Sequence, residues 1–472
     1  MCKRIVYSGN RRVSRSGEVH RSMILVYDRP FVTLAGGSPM RSDRRTFIMD
    51  FGAAVVGATA LTSSRLSLAS GPGEQVGIAV IGCGSQGEGL VKRFGATPNV
   101  RMKSVCDVDE SRREKVRAQV PAATAVDDFR RVLDDKDVDA VVIATPDHWH
   151  TPAAVLAMKA GKHVYVEKPC CQNFHEGTIL VETVRRTKKI VQHGTQFRSD
   201  PLALSVIAAL REGVIGDVLM SKAWNVQRRK SIGHERPTEV PAGVDYDLWV
   251  GPAEFIPFQA NRFHYNWRWW RNFGSGDMGN DGAHELDLAR WGLGVDALPD
   301  TISGVGGKYY FDDDQEFPDT MTVAFEYAGT EAKQPPRTLL YEQRLWSTNY
   351  PFNVDSGVEF YGTKGKIFVS KRGKLEVLGE RNAKMELPNK PTENAPSHYA
   401  DFVEAIRNSR TPHADVDNAF RSAALSHLGN LTVRLGRSLK LDPVRQQLVN
   451  DPEAGALLAR NYRPSHWAIP EA

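Results

Sequence analysis

The sequence of 472 residues predicts an α/β domain with a parallel sheet, followed by a second domain that combines further strands with helices. Two observations lead to this prediction. Between residues 76 and 196, short apolar runs alternate with helix-like stretches, as strands joined by crossover helices do. After residue 197, many strand-like stretches alternate apolar and polar side chains, which is typical of a sheet covered on one face. The composition, 41% apolar and 25% charged, is that of an ordinary globular protein.

Residues 1–73 read as a leader rather than as part of either domain. They carry a net charge of +7, whereas the whole chain carries +5, so residues 74–472 carry −2. Within residues 41–69, the pair Arg44-Arg45 precedes a mildly apolar stretch and then the small-x-small sequence Ser67-Leu68-Ala69. This order is similar to that of a twin-arginine export signal. We therefore expect a periplasmic or otherwise exported protein.

Charge and composition argue against several classes of protein. Because the net charge outside the leader is near zero, we expect no nucleic-acid partner, which would need a concentrated basic face. No run of 18 or more apolar residues occurs, so we expect no stable membrane insertion. The five cysteines include no Cys-x-x-Cys pair, which argues against a disulfide framework or a structural zinc site. No other cluster has metal-ligand spacing, and we expect no metal site.

The first predicted strand leads into a glycine-rich turn. Residues 76–82 form an apolar run suited to a buried parallel strand, and they are followed by Gly82-Cys83-Gly84-Ser85-Gln86-Gly87. Gly82 would form the tight turn, Gly84 would let the backbone approach a pyrophosphate, and Gly87 would let the next helix pack on the strand. The N–H groups at the start of that helix, around Ser85 and Gln86, would face the phosphates. The pattern predicts a dinucleotide site.

The second predicted strand supplies an acidic residue at its end. Residues 101–106 are strand-like and lead into Asp107, which lies 25 residues after Gly82. An acid in this position can bind both hydroxyls of the adenine ribose and would repel a 2′-phosphate. We therefore predict that Asp107 selects NAD over NADP.

The next two strands also end in polar clusters. The strand at 140–144 leads into Thr145-Pro146-Asp147-His148-Trp149-His150, and the strand at 163–166 leads into Glu167-Lys168-Pro169. In parallel α/β sheets, ligands bind beyond the carboxyl ends of the strands. These clusters and the glycine-rich turn therefore predict one site along a single sheet edge, with Thr145, Pro146, His150 and Glu167 beside the cofactor. His148 is the weaker candidate and could be exposed.

These motifs resemble those of the glucose-fructose oxidoreductase / inositol dehydrogenase / rhizopine-catabolism family. The resemblance extends to Gly194–Arg198 and Gly282–Asp287 and covers residues 74–470. It implies NAD(P)-dependent chemistry on sugars or cyclic polyols, with Gln196 among the residues at the cofactor. It also implies an α+β C-terminal domain with a large open, mainly antiparallel sheet that is often used in oligomer contacts. We therefore expect a homo-oligomer, a dimer or a tetramer.

Lys168 is the first catalytic candidate. The resemblance implies that Lys168 lies on the substrate side of the nicotinamide and that its bond to Pro169 is cis. A lysine whose pKa is lowered by burial can share a proton with a substrate hydroxyl. We expect Glu167 to orient this lysine rather than to react.

His284 is the second catalytic candidate. It begins a helix-like stretch in which Asn280, His284 and Asp287 fall on one face. Histidine can accept a proton from an alcohol near neutral pH. Relatives similar to inositol dehydrogenase have an Asp four residues before this His, but position 280 is Asn here and the acid is Asp281. Two interpretations stay open: Asp281 reaches the site from a distorted helix start and orients His284, or the Asp–His relay does not operate.

A third cluster, Trp267-Arg268-Trp269-Trp270-Arg271, precedes the His284 helix. Indole faces can pack against the C–H faces of sugars, and Arg can donate to their hydroxyls. These Trp residues could equally be core or subunit-interface residues.

We predict a Rossmann domain at 74–196 and a substrate and oligomerisation domain at 197–472. The second domain should contain a cleft-covering, loop-rich region at 228–266 and a hairpin turn at Thr363-Lys364-Gly365. Its strand-like stretches are 217–227, 301–311, 319–328, 337–346, 356–361 and 365–370, and its helices are 202–211, 397–409 and 415–436.

The sequence thus favours an exported NAD(H)-dependent oxidoreductase. A hydride would pass between C4 of the nicotinamide and a carbinol carbon of a sugar or sugar derivative, while His284 with Lys168 moves the hydroxyl proton. One alternative is a glycosidase that uses recycled NAD to oxidise a ring carbon, eliminate the aglycone, add water and reduce the product. The His-containing signature of NAD-dependent α-N-acetylgalactosaminidases is not found between the strands of the second domain. The other alternative is a non-catalytic sugar-binding protein, against which Lys168 and His284 argue.

Overall fold

The computed structural model of the protein describes residues 75–329, 335–388 and 397–472. The leader, with its predicted export signal at 41–69, lies outside these residues. Within the described ranges, no helix is long and apolar enough to cross a membrane.

Strands and helices alternate in the first domain. They are β1 Val76–Ile81, α1 Ser85–Gly95, β2 Val100–Cys106, α2 Glu110–Arg117, β3 Thr124–Val126, α3 Phe129–Asp134, β4 Ala140–Ile143, α4 His150–Lys159, β5 His163–Val166, α5 Phe174–Thr187 and β6 Val191–His193. The strands form one parallel sheet in the order β3-β2-β1-β4-β5-β6. Strands β1 and β4 are buried along their whole length, because helices cover both faces of the sheet. The predicted parallel α/β sheet is confirmed.

The strand order shows where a ligand can bind to this sheet. The order reverses between β1 and β4, and such a reversal opens a crevice beyond the carboxyl ends of the strands. Several helix starts in the first domain are capped by side chains. The side chain of Asp109 accepts from backbone N–H groups at the start of α2, and that of Asn173 does so at the start of α5.

The second domain begins with helices and strands that alternate less regularly. Its elements are α6 Pro201–Arg211, β7 Val218–Asn225, α7 Tyr246–Val250, α8 Gly276–Asn280, α9 Gly282–Leu293, β8 Thr301–Gly307, β9 Thr320–Tyr327, β10 Arg337–Arg344, β11 Ser356–Gly362, β12 Gly365–Val369, β13 Leu375–Gly379, α10 His398–Arg407, α11 Val416–Leu435, β14 Leu439–Asp442, β15 Gln447–Leu448 and α12 Pro452–Ala456.

These strands form one sheet in the order β13-β12-β11-β7-β10-β9-β8-β14-β15. Neighbouring strands are antiparallel except for the parallel pair β7 and β10. The predicted large, mainly antiparallel sheet is confirmed, and so is the hairpin turn, because Gly362 pairs with Gly365 across Thr363 and Lys364. Strands β13 and β14 were not predicted from the sequence.

Helices α10 and α11 return from the second domain to the first. Phe402 of α10 packs edge-on against Phe94 and Tyr165, in the core of the parallel sheet. Phe420 of α11 packs against Phe174 of α5. A further continuous apolar core joins the two sheets and includes residues of helices α8 and α9.

Candidate active site

The carboxyl ends of β1, β2, β4 and β5 open onto a single cleft. Its opposite wall comes from the loop-rich region that follows β7, through Trp249, Phe263, His264, Trp267 and Arg268. The prediction that residues 228–266 cover the cleft is confirmed. The predicted cofactor residues that line the cleft are Gly82, Gly84, Ser85, Gln86, Asp107, Thr145, Pro146, His150 and Glu167.

The glycine-rich turn has the geometry of a phosphate cradle. Gly82 has a φ of +97°, and a Cβ there would lie 2.6 Å from the backbone of Ala144. A Cβ on Gly87 would lie 1.8 Å from the carbonyl oxygen of Gly82, so Gly87 acts behind the turn and does not line the cleft. Within the described residues, no side chain caps α1 at Gly84, which leaves the N–H groups of its first turn for a bound anion.

Asp107 is tied to the glycine-rich turn. Its Oδ2 accepts from the backbone N–H of Cys83 at 2.6 Å, and its Oδ1 accepts from that of Asp109 at 2.9 Å. Burial raises the pKa of the Asp107 carboxyl. Arg112, on the first turn of α2, also lines the cleft, and its Nη1 would lie 3.1 Å from a Cβ on Gly84. The ribose end of the cleft therefore combines an acid with a nearby cation.

The ends of the strands are linked by side-chain hydrogen bonds. Gln86 Nε2 donates to Glu167 Oε1 at 2.8 Å, which joins the glycine-rich turn to the end of β5. His150 Nδ1 lies 2.6 Å from the carbonyl oxygen of Pro169, and its Nε2 lies 3.0 Å from that of Thr145. Gln196 does not line the cleft; its Nε2 donates to the Tyr165 hydroxyl at 3.2 Å.

His150 and His148 are both buried. Burial lowers the pKa of His150 to about 4, so the imidazole is neutral and its single N–H donates to one of these two carbonyl oxygens. The expectation that His148 could be exposed is wrong: its side chain is fully buried and its Nε2 lies 2.9 Å from the carbonyl oxygen of Trp249. The physical reason is that the region covering the cleft packs directly onto this loop, which the local sequence does not reveal.

Lys168 reaches across the cleft to the second domain. Its bond to Pro169 is cis, as the resemblance implied. Its Nζ donates to the backbone carbonyl of Asn280 at 2.9 Å and to Asn280 Oδ1 at 3.2 Å. This carbonyl is free to accept because the helix is interrupted at Asp281: the N–H of His284 donates to Asp281 O at 3.2 Å instead of to Asn280 O.

His284 lies in a strongly charged environment. Burial, followed by the charges of Lys168 and Lys371, lowers the pKa of His284 to about 3, whereas Asp281 opposes this shift. The imidazole is therefore neutral near pH 7 and can accept a proton. The third residue of the predicted face, Asp287, is elsewhere: it is buried and accepts a bidentate pair of hydrogen bonds from Arg198.

The Asp281 carboxylate binds Arg229, a residue that the sequence analysis did not select. This carboxylate accepts from Arg229 Nη2, and Arg229 also donates to both oxygens of Asp277 at 2.8 and 3.0 Å. Although burial opposes the shift, Arg229 and Lys168 hold the pKa of Asp281 well below its usual range. Within the described residues, the Asp281 carboxylate makes no hydrogen bond to the ring of His284. The basic run Arg228-Arg229-Lys230 was the available signal for Arg229.

The tryptophan cluster is buried and borders the cleft through one of its members. Trp267 lines the cleft. The guanidinium of Arg268 lies 4.4 Å from the ring centroid of Trp267, and Arg268 Nε donates to Asn280 Oδ1 at 3.1 Å. Trp269 and Trp270 are buried, and Trp270 Nε1 donates to the carbonyl oxygen of Asn261. Trp267 is buried too and packs in the same apolar cluster as Trp270, so the core interpretation holds for all three residues and Trp267 in addition borders the cleft.

This fold and cleft define a dinucleotide-binding protein with a separate substrate-side domain. Residues 76–195 match a family model described as an oxidoreductase-family NAD-binding Rossmann fold, and residues 181–469 match one described as an oxidoreductase-family C-terminal alpha/beta domain. The chain belongs to the glucose-fructose oxidoreductase / inositol dehydrogenase / rhizopine-catabolism family of oxidoreductases, and its first domain is the NAD-binding Rossmann domain of that family.

Individual relatives resemble the chain over different lengths. A glycosyl hydrolase family 109 protein 1 of Shewanella sp. strain ANA-3 is 30% identical over 175 residues; this alignment covers 34% of the chain and only 38% of that relative. The scyllo-inositol 2-dehydrogenase (NAD(+)) of Bacillus subtilis strain 168 is 24% identical over 385 residues, which are 79% of the chain and 98% of the relative.

Solved structures share the fold. An aldose-aldose oxidoreductase from Caulobacter crescentus, crystallised with glycerol, superposes with a TM-score of 0.60 at 18% identity, over 78% of this chain and 100% of that one. A levoglucosan dehydrogenase in complex with NADH and levoglucosan also gives a TM-score of 0.60 at 18% identity, over 78% of this chain and 99% of that one.

Proposed function

We propose that this protein is an exported NAD(H)-dependent oxidoreductase that oxidises or reduces a carbinol carbon of a sugar or sugar derivative. One observation carries the proposal: Lys168, at the end of a strand beside the nucleotide cradle, meets Asn280 at the start of the interrupted helix that bears His284. Lys168 lines the cleft, and the neutral imidazole of His284 lies four residues beyond Asn280 and within reach of the Lys168 charge; such a pair suits proton transfer to and from a hydroxyl.

The residues of the cleft fit NAD. The Gly82–Gly87 turn and the uncapped start of α1 would hold the pyrophosphate, Asp107 would accept from the ribose hydroxyls, and Thr145 and Glu167 would lie towards the nicotinamide. When bound, NAD supplies the nicotinamide carbon that accepts or returns a hydride. The turn leaves no room for a Cβ at Gly82, which lies against the backbone of Ala144, or at Gly87, which lies against the carbonyl oxygen of Gly82; both glycines are therefore needed for the turn that brings Gly84 to the pyrophosphate.

The chain itself supplies the proton chemistry. Lys168 Nζ donates a hydrogen bond to the substrate hydroxyl, and a ring nitrogen of His284 takes the hydroxyl proton in the oxidative direction and returns it in the reverse direction. Trp267 offers an indole face to the C–H face of a sugar ring, and Arg268 donates to its hydroxyls. The sugar-acting relatives and fold neighbours support a sugar as the substrate class.

The first test identifies the bound nucleotide and then measures the turnover of sugars. Purified mature protein would be denatured, and any released nucleotide identified by mass spectrometry; we expect NAD or NADH. The protein would then be incubated with a panel of aldoses, inositols and anhydrosugars, with and without added NAD, while absorbance at 340 nm is followed. Bound NAD that changes redox state on addition of one sugar supports the proposal. A protein that binds no nucleotide contradicts it.

A second candidate function is an NAD-dependent glycosidase, which uses the same cleft. The observation in its favour is that several family 109 glycosyl hydrolases are about a third identical to part of the chain. Aryl glycosides discriminate between the two functions: release of the aglycone with no net NADH indicates the glycosidase, whereas NADH formation without release of the aglycone indicates the oxidoreductase. Sugar binding without either reaction would favour a non-catalytic binding protein.

Export and assembly complete the proposal. The order of Arg44-Arg45, apolar stretch and Ser67-Leu68-Ala69 supports transport of the folded protein, whose cofactor would then be recycled in place. Replacing both arginines by lysine should retain the protein in the cytoplasm, which cell fractionation would reveal. The open sheet of the second domain supports a dimer or a tetramer, and light scattering of the mature protein tests this.

A further inference from the structure

Asp147 is a buried carboxyl at the catalytic end of the cleft that the proposed mechanism leaves unused. It is the first residue after the loop that ends β4, it lines the cleft, and its exposed fraction is 3%. Its Oδ2 accepts from Ser275 Oγ at 2.6 Å. Within the described residues, this is the only hydrogen bond that the carboxyl makes, and it forms no direct ion pair.

The surroundings of Asp147 come from four elements. Lys168 at the end of β5 and Arg268 in the region that covers the cleft are the cations that favour its ionised form. Glu176 on α5 disfavours that form, but Glu176 is itself paired with Arg460 at 2.7 Å. The remaining titratable neighbours are the thiol of Cys171 and the neutral imidazole of His150, one turn further along the same loop.

The loops of Asp147 and Lys168 are held together. His150 hydrogen-bonds the carbonyl oxygen of Pro169, next to Lys168. Ser275, the partner of Asp147, packs against Gly279, where a Cβ would lie 2.0 Å from Ser275 Oγ and 3.6 Å from Pro169 Cγ. The residue after Gly279 is Asn280, which binds Lys168 Nζ. Asp147 and Lys168 both line the cleft on loops that share these contacts, so the charge of each acts on the other.

A carboxyl in this setting can exist in either protonation state near neutral pH. Burial disfavours the carboxylate, while one hydroxyl donor and two nearby cations favour it. The balance raises the pKa of Asp147 to about 7. Asp281 differs, because Arg229 binds it directly and, with Lys168, holds the pKa of its carboxyl below its usual range.

We propose that Asp147 is a positioning residue whose ionisation holds the Lys168 ammonium in place for the substrate hydroxyl. The ionised carboxylate stabilises this ammonium beside Asn280, and protonation of Asp147 withdraws the support. The inference rests on the proposed function, since Lys168 must act on a substrate for the effect to appear in turnover.

The pH profile of kcat tests the inference. In the wild type, kcat should rise with pH through an ionisation near neutrality. Asp147→Asn should lose this ionisation and lower kcat about 10- to 100-fold at pH 8, with NAD affinity unchanged. Asp147→Glu should restore an ionisation. Asp137→Asn, at an exposed aspartate that pairs with Lys103, is the matched control and should keep the wild-type profile. An Asp147→Asn profile identical to that of the wild type would overturn the inference.

Two further measurements guard against uninformative outcomes. If Asp147→Asn does not fold, Ser275→Ala replaces it as the test. This variant retains the Asp147 carboxyl but removes its one hydrogen-bond donor, so the ionisation seen in the kcat profile should move to higher pH. An ionisation that stays at the wild-type pH overturns the inference. If the wild type turns over no sugar, the proposed function fails separately. Carbon-13 NMR of the aspartate carboxyls then tests directly whether the charges of Asp147 and Lys168 affect each other. Lys168→Met should raise the titration midpoint of Asp147. An unchanged midpoint overturns the inference.

Discussion

Lys168 Nζ donates to both the backbone and the side-chain carbonyl oxygens of Asn280, at 2.9 and 3.2 Å, and so ties the first domain to the second across the cleft. The bond to the backbone exists because the helix is interrupted at Asp281, which leaves the Asn280 carbonyl without its usual N–H partner. A single irregular residue therefore creates the acceptor that positions the lysine.

Loss of either proton-handling side chain should abolish turnover without loss of cofactor. Lys168→Met and His284→Ala should each lower kcat about 10²- to 10⁴-fold, because each removes one partner of the substrate hydroxyl. NAD binding, followed by protein fluorescence, should stay near that of the wild type, since neither side chain belongs to the phosphate cradle. A silent His284→Ala would leave Lys168 to carry the proton alone.

Asp281 should matter less than His284. The Asp281 carboxylate opposes the fall in the pKa of His284, so Asp281→Asn should lower this pKa further and weaken His284 as a base. We expect about a tenfold loss in kcat, equivalent to one pKa unit. Asn280→Ala is the companion variant, because it retains the backbone acceptor of Lys168 and removes the side-chain amide, with the Oδ1 that binds Lys168 and Arg268 and the Nδ2 that donates to Asp277. If Asn280→Ala is crippling while Asp281→Asn is silent, the amide is the essential partner.

Asp107 should control the choice of cofactor. Asp107→Ser removes the carboxylate that repels a 2′-phosphate, and Arg112 already lines the same end of the cleft. The ratio of the dissociation constants for NADP and NAD, measured by titration, should shift at least about tenfold towards NADP, or about 1.4 kcal/mol. Adding Arg112→Ala to this variant should reverse much of the shift. A wild type that prefers NADP tenfold would refute the role of Asp107.

Two glycines of the same helix should respond oppositely to alanine. In Gly87→Ala the new methyl would lie 1.8 Å from the carbonyl oxygen of Gly82, so we expect a loss of about 1–3 kcal/mol of stability and weaker NAD binding. A Cβ on Gly95, at the end of α1, would meet nothing within 4 Å, so Gly95→Ala should retain or slightly increase stability. Thermal unfolding with and without NAD separates the two effects.

The buried pair of Arg198 and Asp287 should be structural. Asp287→Ala leaves the Arg198 guanidinium buried without its carboxylate partner and should cost about 3–5 kcal/mol. Burial opposes ionisation of Asp287, but Arg198 lowers the pKa of this carboxyl in the folded state. The stabilisation is therefore present above the unfolded value of about 3.9 and is lost as pH falls through the lower folded value. Arg198→Met/Asp287→Leu should lack this acid-dependent loss in unfolding titrations.

The sequence by itself determined the parallel sheet, the glycine-rich turn, Asp107 and the polar strand ends. These features follow from local chemistry: an apolar run forms a buried strand, and a turn that must approach a phosphate needs glycine. The main strands of the second domain were equally visible as alternating stretches. What the sequence missed there, such as β13 and β14, consists of strands of four or five residues near the ends of the sheet, which are too short for a clear periodic signal.

Only the tertiary structure decided which charged groups meet. Lys168 and Asn280 are 112 residues apart in the chain, and Asp147 and Ser275 are 128 apart. Sequence reasoning left open whether Asp281 orients His284; the fold brings Arg229 to Asp281 and leaves Asp147 with a single hydroxyl donor. The reason is that hydrogen bonds and ion pairs act over a few ångströms, so their partners are fixed by how the two domains pack and by the interruption of one helix.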